Sequence, residues 1–303
     1  MTNAHEALYN QLLDYTAVIH CSTKIAAVLL ILFATPQKMR PLSLYLLNGM
    51  LWNFAANIVL AFVHIYPLFP VLCFRIDGLA SSANTTITGQ ALFVALIVCV
   101  LNCTSAHAAI FFYRYMIFAH TATLVKWRYR CRFILAIWHT ATAGITVVVY
   151  GACMTATAER NLRICFKTDG WQHPTAVMAL LLSFAFAIAV GTISTVLLLY
   201  SFHKKKAVMS PQLLNSHKGI LRVLLAVTTV PAFFGAVPVT VIVIYTLQPQ
   251  LPFAKEIVLV FLVIIANYGS IYAVVVIVAI KPYREAACSS LLGMLCCKRT
   301  HHG

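Results

Sequence analysis

The sequence predicts an all-α membrane protein: a seven-transmembrane helix bundle with its amino terminus outside and its carboxyl terminus inside. Three observations predict it. The chain of 303 residues is 61% hydrophobic and only 10% charged, so it has too little polar surface to face water and its solvent must be lipid. Seven continuous apolar runs each have the length of a bilayer core. Sixteen of the 22 Lys and Arg residues gather on one side of those runs.

The runs lie at about 15–34, 41–63, 88–110, 133–153, 175–200, 220–246 and 257–280. At about 1.5 Å rise per residue, helices of these lengths cover a hydrocarbon core of about 30 Å. They are helices rather than barrel strands because the runs are continuous, whereas barrel strands alternate over about ten residues. The polar start "MTNAHEALYNQLLD" carries no basic residue, so the first run reads as an uncleaved anchor rather than a signal peptide. The organisation that follows is an outer segment 1–14, a transmembrane domain 15–280 and a cytoplasmic tail 281–303 with a short amphipathic stretch. The longest connection, 64–87, leaves no room for a separate soluble domain.

Orientation comes from the cations. Sixteen fall on one side, in the groups 38–40, 114–132, 204–222 and 281–299, and only Arg75, Arg160, Arg163, Lys167 and Lys255 on the other. Basic connections stay in the cytoplasm, which puts the amino terminus outside. Of the seven acids, only Glu285 falls inside. The net charge of +15 is then a property of the cytoplasmic face, whose partner is anionic membrane lipid and not nucleic acid. The alternation "KWRYRCR" at 126–132 abuts the fourth run, and Trp127 and Tyr129 read as interface anchors.

The outer connections carry a glycosylation sequon, "NTT" at Asn84. A second match, "NCT" at Asn102, lies inside the third run and is expected to be inaccessible. Of ten cysteines, only Cys73 and Cys165 lie in outer connections. They either bridge the second and fourth connections or remain two free thiols. Cys288, Cys296 and Cys297 follow the last run among flanking cations; they are palmitoylation candidates or small apolar packing residues.

Several function classes are disfavoured. Cation and proton transport uses carboxylates inside the membrane, and all seven acids lie outside the runs or at their edges. No repeat of one half in the other is apparent. No HExxH or GxSxG signature is present, so no catalytic residue, cofactor or metal is expected. His20, His64, His107 and His139 are scattered over several helices and read as hydrogen-bonded packing residues. Lys24, in "HCSTKIAAV", is the intramembrane charge that needs a reason. It either snorkels to the outer interface beside His20 and Ser22 or anchors an acidic ligand. Pro231 and Pro238 in "TTVPAFFGAVPV" each delete a helical hydrogen bond, so the sixth helix is expected to kink there and to act as a lever whose inner end bears Lys218 and Arg222.

A set of motifs in order along the chain carries a resemblance. They are "TPQKM" at 35–39 with Leu46, Leu47 and Trp52; "YPLFPVLCFRIDG" with Pro67, Pro70 and Gly78; "VMSPQLLNSHKGILRVLL" with the two prolines of the sixth run; and "YGSIYAVVVIVAIKPYRE" with Gly269, Ser270 and the Pro282, Tyr283, Arg284 triplet. With these the chain resembles the nematode serpentine chemoreceptors, most closely classes H and I. It departs from that pattern at Asn57, where the family often has an acid, and at Val227, where a glutamine is common. It also lacks an acid before Arg114 in "YRY" and an Asn-Pro-x-x-Tyr in the seventh helix.

The resemblance implies a GPCR-like receptor for odorants or other small molecules, partnered by a heterotrimeric G protein, at the plasma membrane and in sensory-neuron cilia. It implies that Arg114, with Tyr115, forms a latch at the inner end of the third helix; a headgroup anchor is the alternative. Lys218, Arg222, Tyr283 and Arg284 would then belong to the coupling face. Phe93, Phe233, Phe234 and Tyr245, with Lys24, are the expected pocket walls, or else ordinary packing. A seven-helix ligand-gated channel and a non-signalling scaffold or decoy receptor are the alternatives. The ligand is not named by the sequence.

Overall fold

Each apolar run forms a helix, because a backbone in lipid has no water to bond and must satisfy its own N–H and C=O groups. A computed structural model describes residues 4–83, 85–157, 162–167, 170–205, 219, 221, 223, 225–227 and 229–300. The helices are α1 (Ala4–Phe33), α2 (Arg40–Val63), α3 (Thr86–Ala119), α4 (Thr121–Cys153) and α5 (Gln172–Lys205), then α6 (Leu225–Leu247), α7 (Ala254–Ala279) and α8 (Lys281–Thr300). Seven of them, α1 to α7, are long and apolar enough to cross a membrane.

Several helices outrun the apolar stretches that announce them. Residues 4–14 are part of α1, not a separate segment ahead of it. Only His120 separates α3 from α4, so the basic stretch 126–132 is the start of α4 rather than a loop. Hydropathy reports only the part of a helix inside hydrocarbon, whereas helical hydrogen bonding runs on into the polar layer. Local chemistry sets some ends: the Thr85 hydroxyl caps α3 by accepting from Thr88 N at 3.3 Å, and Pro41 starts α2, where its missing N–H costs nothing.

Between α2 and α3 lies the hairpin β1 (Ile65–Pro67) and β2 (Cys73–Ile76). Between α4 and α5 lie β3 (Met154–Thr157) and β4 (Arg163–Phe166). They form one antiparallel sheet in the order β1-β2-β4-β3, and Cys73 stands opposite Cys165 in register. The two are disulfide-bonded, S–S 2.05 Å. Gly78, just after β2, holds φ +75°, and a Cβ there would come 3.0 Å from His64 Cγ and Phe62 O. Only glycine meets both demands without strain.

The sheet is tied to the helices by polar contacts. Tyr9 on α1 donates to Ile65 O at 2.8 Å. Arg75 on β2 pairs with Asp77 at 2.7 Å and with Glu6 on α1 at 2.9 Å. Hydrogen bonding to Asp77 pushes the guanidinium pKa above its usual range, with Glu6 adding to it. Arg75 and Lys255 of α7 each lie 4.7 Å from the Tyr66 ring, so one buried aromatic carries two cations.

The core divides in two. At the sheet end Leu13, Ala56, Leu60, Phe74, Phe93, Cys99, Ile164 and Ala266 pack together. At the opposite end Ala27, Met50, Ile110, Tyr113, Tyr272, Val276 and Tyr283 do so. On α1, α2, α3 and α7 the switch between the buried members of the two clusters leaves a gap, from five residues on α2 and α7 to ten on α3 and thirteen on α1. In those gaps sit Lys24 and His20, Asn53, Cys103 and His107, and Gly269 and Ser270.

Candidate functional site

This middle layer is polar because each helix contributes one or two hydrogen-bonding side chains at the same depth. Lys24 on α1 is fully buried, at 0% exposure. Its Nζ donates to Asn53 O on α2 at 3.2 Å. Room for it comes from Gly269 on α7, where a Cβ would land on the Asn53 amide and 2.5 Å from Lys24 Nζ. The expected snorkelling toward the outer interface is therefore corrected: Lys24 points between α2 and α7. Beside it His20 Nδ1 and Thr23 Oγ1 both reach Ser270 Oγ, the latter at 3.1 Å, and Asn57 donates to Ala266 O at 3.0 Å. The Asn57 amide thus joins α2 to α7 directly.

On α3, Cys103 and His107 lie one turn apart. His107 Nδ1 is 2.7 Å from Cys103 O, so that nitrogen carries the proton and Nε2 is left as an acceptor. Tyr268 OH on α7 meets Cys103 Sγ at 3.0 Å. His107 Nε2 and Asn53 Oδ1 are both buried and have no hydrogen-bond partner among the described residues. In a low-dielectric site such atoms cost about 1–3 kcal/mol each, which a donor arriving there would recover.

Asn53, Cys103, His107 and Tyr268 form the polar side of a cavity of about 100 Å³ among α2, α3, α5, α6 and α7. Its apolar wall includes Leu96, Phe184 and Ile265, and α6 closes it with Pro231, Gly235 and Ala236. No Asp, Glu, Lys or Arg lines it, so it suits a small uncharged molecule.

Helix α6 is distorted at this point. Residues Ala232–Ala236, bracketed by Pro231 and Pro238, form a π turn. A proline cannot donate to the preceding turn, and the wider spacing absorbs the missing bond. Gly235 and Ala236 on the cavity side have little or no side chain, whereas Phe233 and Phe234 on the same turn are 65% and 39% exposed. Those two phenylalanines face away from the cavity. Phe93 is buried against Phe74 beneath the sheet, ring centroids 5.7 Å apart. Tyr245 is partly buried, and neither it, Phe93 nor Lys24 lines the cavity.

At the end away from the sheet, Arg114 lies before the last turn of α3, which runs on to Ala119. Its Nε is buried and has no partner among the described residues. Next to it Tyr113 stacks on Tyr45 of α2 at 4.3 Å, and Tyr115 OH is 3.3 Å from His120 Nε2. Tyr283 is fully buried, its hydroxyl 2.9 Å from Thr35 Oγ1 after α1. It locks the α1–α7–α8 junction and is not exposed for contact with another protein. Arg284 is exposed and donates to Val278 O at 3.0 Å near the end of α7. Lys218, Arg222 and Asn84 lie outside the described residues, as do the side chains of Cys296 and Cys297.

The histidines take internal partners: His20 meets Ser270, and His139 lies between Asn102 and Asn48 at 2.7 and 3.0 Å. Asn102 is 0% exposed. Among the described residues no cluster of three or more His, Cys, Asp or Glu is placed to hold a metal. Sequence reasoning missed the cavity residues Asn53, Cys103, His107 and Tyr268. The one local signal was the i, i+4 spacing of Cys103 and His107 on an otherwise apolar helix.

A family model described as "Serpentine type 7TM GPCR chemoreceptor Srh" matches residues 4–293. No curated protein matches the chain.

Proposed function

This chain belongs to the serpentine 7TM GPCR chemoreceptor family Srh, and on that footing we propose that it is a chemosensory receptor for small uncharged molecules bearing a hydrogen-bond donor, coupled to a heterotrimeric G protein. A multi-pass receptor of this family is not an enzyme. In this reading the sheet end faces outside and the α8 end faces the cytoplasm at the plasma membrane, supported by the charge asymmetry of the connections.

One observation supports the reading: the cavity lined by His107 and Asn53, whose Nε2 and Oδ1 are buried without a partner among the described residues, is closed by the π turn of α6. A donor group on the ligand, a hydroxyl or N–H, bonds one of those acceptors while its apolar body presses on Gly235 and Ala236. Straightening or deepening the π turn there shifts the α6 segment beyond Pro231. The ligand acts only through its differential affinity for the two α6 arrangements. Displacement of the inner end of α6 opens the face bearing Arg114, Tyr115, Lys218, Arg222 and Arg284 to the G protein. The buried, unpartnered Nε of Arg114 favours a latch over a headgroup anchor, since a headgroup contact would leave that atom in the lipid interface.

The test is ligand-driven nucleotide exchange on co-expressed G proteins, with small alcohols, ketones and carboxylic acids as stimuli. Alcohols are expected to act and carboxylic acids are not. His107→Leu and Ala236→Leu should abolish the response in receptor that reaches the membrane, and Arg114→Ala should abolish exchange while ligand still binds. A full response in both cavity variants would remove this cavity as the ligand site.

A further inference from the structure

A second site lies on the side of the bundle that faces lipid. We propose that the groove among α2, α3, α4 and α5 binds an anionic phospholipid from the surrounding bilayer, its phosphate at Arg132 and one acyl chain in the apolar chamber beyond.

The chamber measures about 570 Å³ and is lined by Phe112, Tyr113, Met116, Ile134, Trp138 and Phe186, among others. This lies within the range of about 300–1,000 Å³ typical of ligand pockets. Trp138 of α4 and Phe186 of α5 stack at 4.9 Å to form its outer wall, and the stacked pair Tyr45 and Tyr113 forms its back. Phe112, Ile134, Trp138 and Phe186 are 46%, 59%, 41% and 50% exposed, so the chamber opens sideways, where only a molecule already in the membrane can enter.

A second hollow of about 270 Å³ shares Tyr45 and Leu135 with the chamber and adds Asn48, Arg132 and His139. The two adjoin along Tyr45 and Leu135, the smaller one forming a polar mouth beside the apolar chamber. His139 is fixed as a neutral ring: Nδ1 donates to Asn102 Oδ1 at 2.7 Å and Nε2 accepts from Asn48 Nδ2 at 3.0 Å. Asn48 therefore keeps a second N–H and its oxygen for a ligand.

Arg132 is partly buried in this mouth, and no described ion pair includes it; the carboxylates Glu6, Asp14, Asp77 and Glu285 pair elsewhere. A guanidinium in an apolar groove pairs with an anion that presents two acceptor oxygens to its parallel N–H groups, which the non-bridging oxygens of a phosphodiester supply. Lys126, Arg128 and Arg130 precede it on the same end of α4. That density of positive charge selects a charged phospholipid headgroup over a sterol hydroxyl, which carries no charge, and over a lone carboxylate.

The experiment uses the full-length receptor in nanodiscs whose acyl chains are brominated, with the tryptophan fluorescence lost in a Trp138→Phe receptor taken as the Trp138 signal. Brominated phosphatidylserine is expected to quench that signal at a mole fraction at least five-fold lower than brominated phosphatidylcholine. Arg132→Gln should erase the preference and Arg132→Lys should keep part of it. Equal quenching by the two lipids in the unmodified receptor overturns the proposal without any Arg132 variant. Displacement of the quencher by cholesterol or oleate but not by unbrominated phosphatidylserine overturns it in favour of a sterol or a fatty acid. Undiminished preference in Arg132→Gln overturns the assignment of the cation.

Discussion

Replacing Lys24 by methionine is expected to stabilise the receptor. The ammonium is 0% exposed and makes one hydrogen bond, 3.2 Å to Asn53 O, with no acid beside it among the described residues. A hydrogen bond to a charged group contributes about 1.5–3 kcal/mol. Burying the ion costs several kcal/mol, and replacing buried ions by apolar side chains of similar volume gains about 1–4 kcal/mol. Nothing is orphaned by the change, because Asn53 lies inside α2 and its carbonyl has the helix's own N–H as a partner. Methionine nearly matches the lysine stem in length and flexibility and fills the space beside Gly269. The net expectation is a gain of about 1–3 kcal/mol, at the lower end of that range. The assay is thermal unfolding of purified receptor, followed by thiol labelling of the buried Cys99, Cys103 and Cys153. A lower midpoint in Lys24→Met would refute the reasoning, because it would mean that the ammonium has a stabilising partner beyond Asn53. The alcohol response should be unchanged, since Lys24 does not line the cavity.

Gly269→Ala should cost about 1–3 kcal/mol by overpacking, because its Cβ would land on the Asn53 amide and 2.5 Å from Lys24 Nζ. Combined with Lys24→Met, part of that loss should return, and strict additivity in the same unfolding assay would count against the shared contact. Cys165→Ser opens a link between residues 92 apart. The chain-entropy relation gives up to about 4.5 kcal/mol for such a loop, so the variant should unfold at lower temperature, and a reductant should lower the unmodified receptor to the same midpoint while leaving the variant unaffected. Burial holds the His64 imidazole pKa below its usual value, against the opposing pull of Asp14 and Asp77. The unfolded chain therefore takes up a proton below about pH 6.5 that the folded receptor refuses, and stability should fall as the pH drops through that region. His64 has φ 37°, a conformation asparagine tolerates, so His64→Asn should flatten the stability profile between about pH 7 and pH 5; an unchanged slope would point to another group.

The helices were legible because hydropathy is a local property: a run of apolar residues long enough for the bilayer has one stable backbone arrangement there. Their polar ends were not. Residues 4–14 and 121–132 are helical outside the continuous apolar runs, and what holds the first of them is remote, namely Ile65 O for Tyr9 and Arg75 for Glu6. The two cysteines of the connections that the charge count reads as outer could be picked out by compartment, but only the register of β2 against β4 sets them opposite each other. Pro231 and Pro238 marked where α6 departs from regular geometry; that the departure is a π turn closing a cavity depends on what α2, α3 and α7 place across from it.

The sequence by itself determined the solvent, the seven spans and the family, because composition, run length and motif order survive without knowledge of contacts. Tertiary structure decided which side chains face one another. Lys24, Asn53 and Gly269 are far apart in sequence, and so are Cys103 and Tyr268, yet helix packing brings each set to one depth. The aromatic residues of α6 went the other way: Phe233 and Phe234 turn toward the bilayer, leaving Gly235 and Ala236 at the cavity. In lipid both faces of a helix are apolar, so hydrophobicity cannot say which face turns inward; close packing of small residues and hydrogen bonds between helices make that choice.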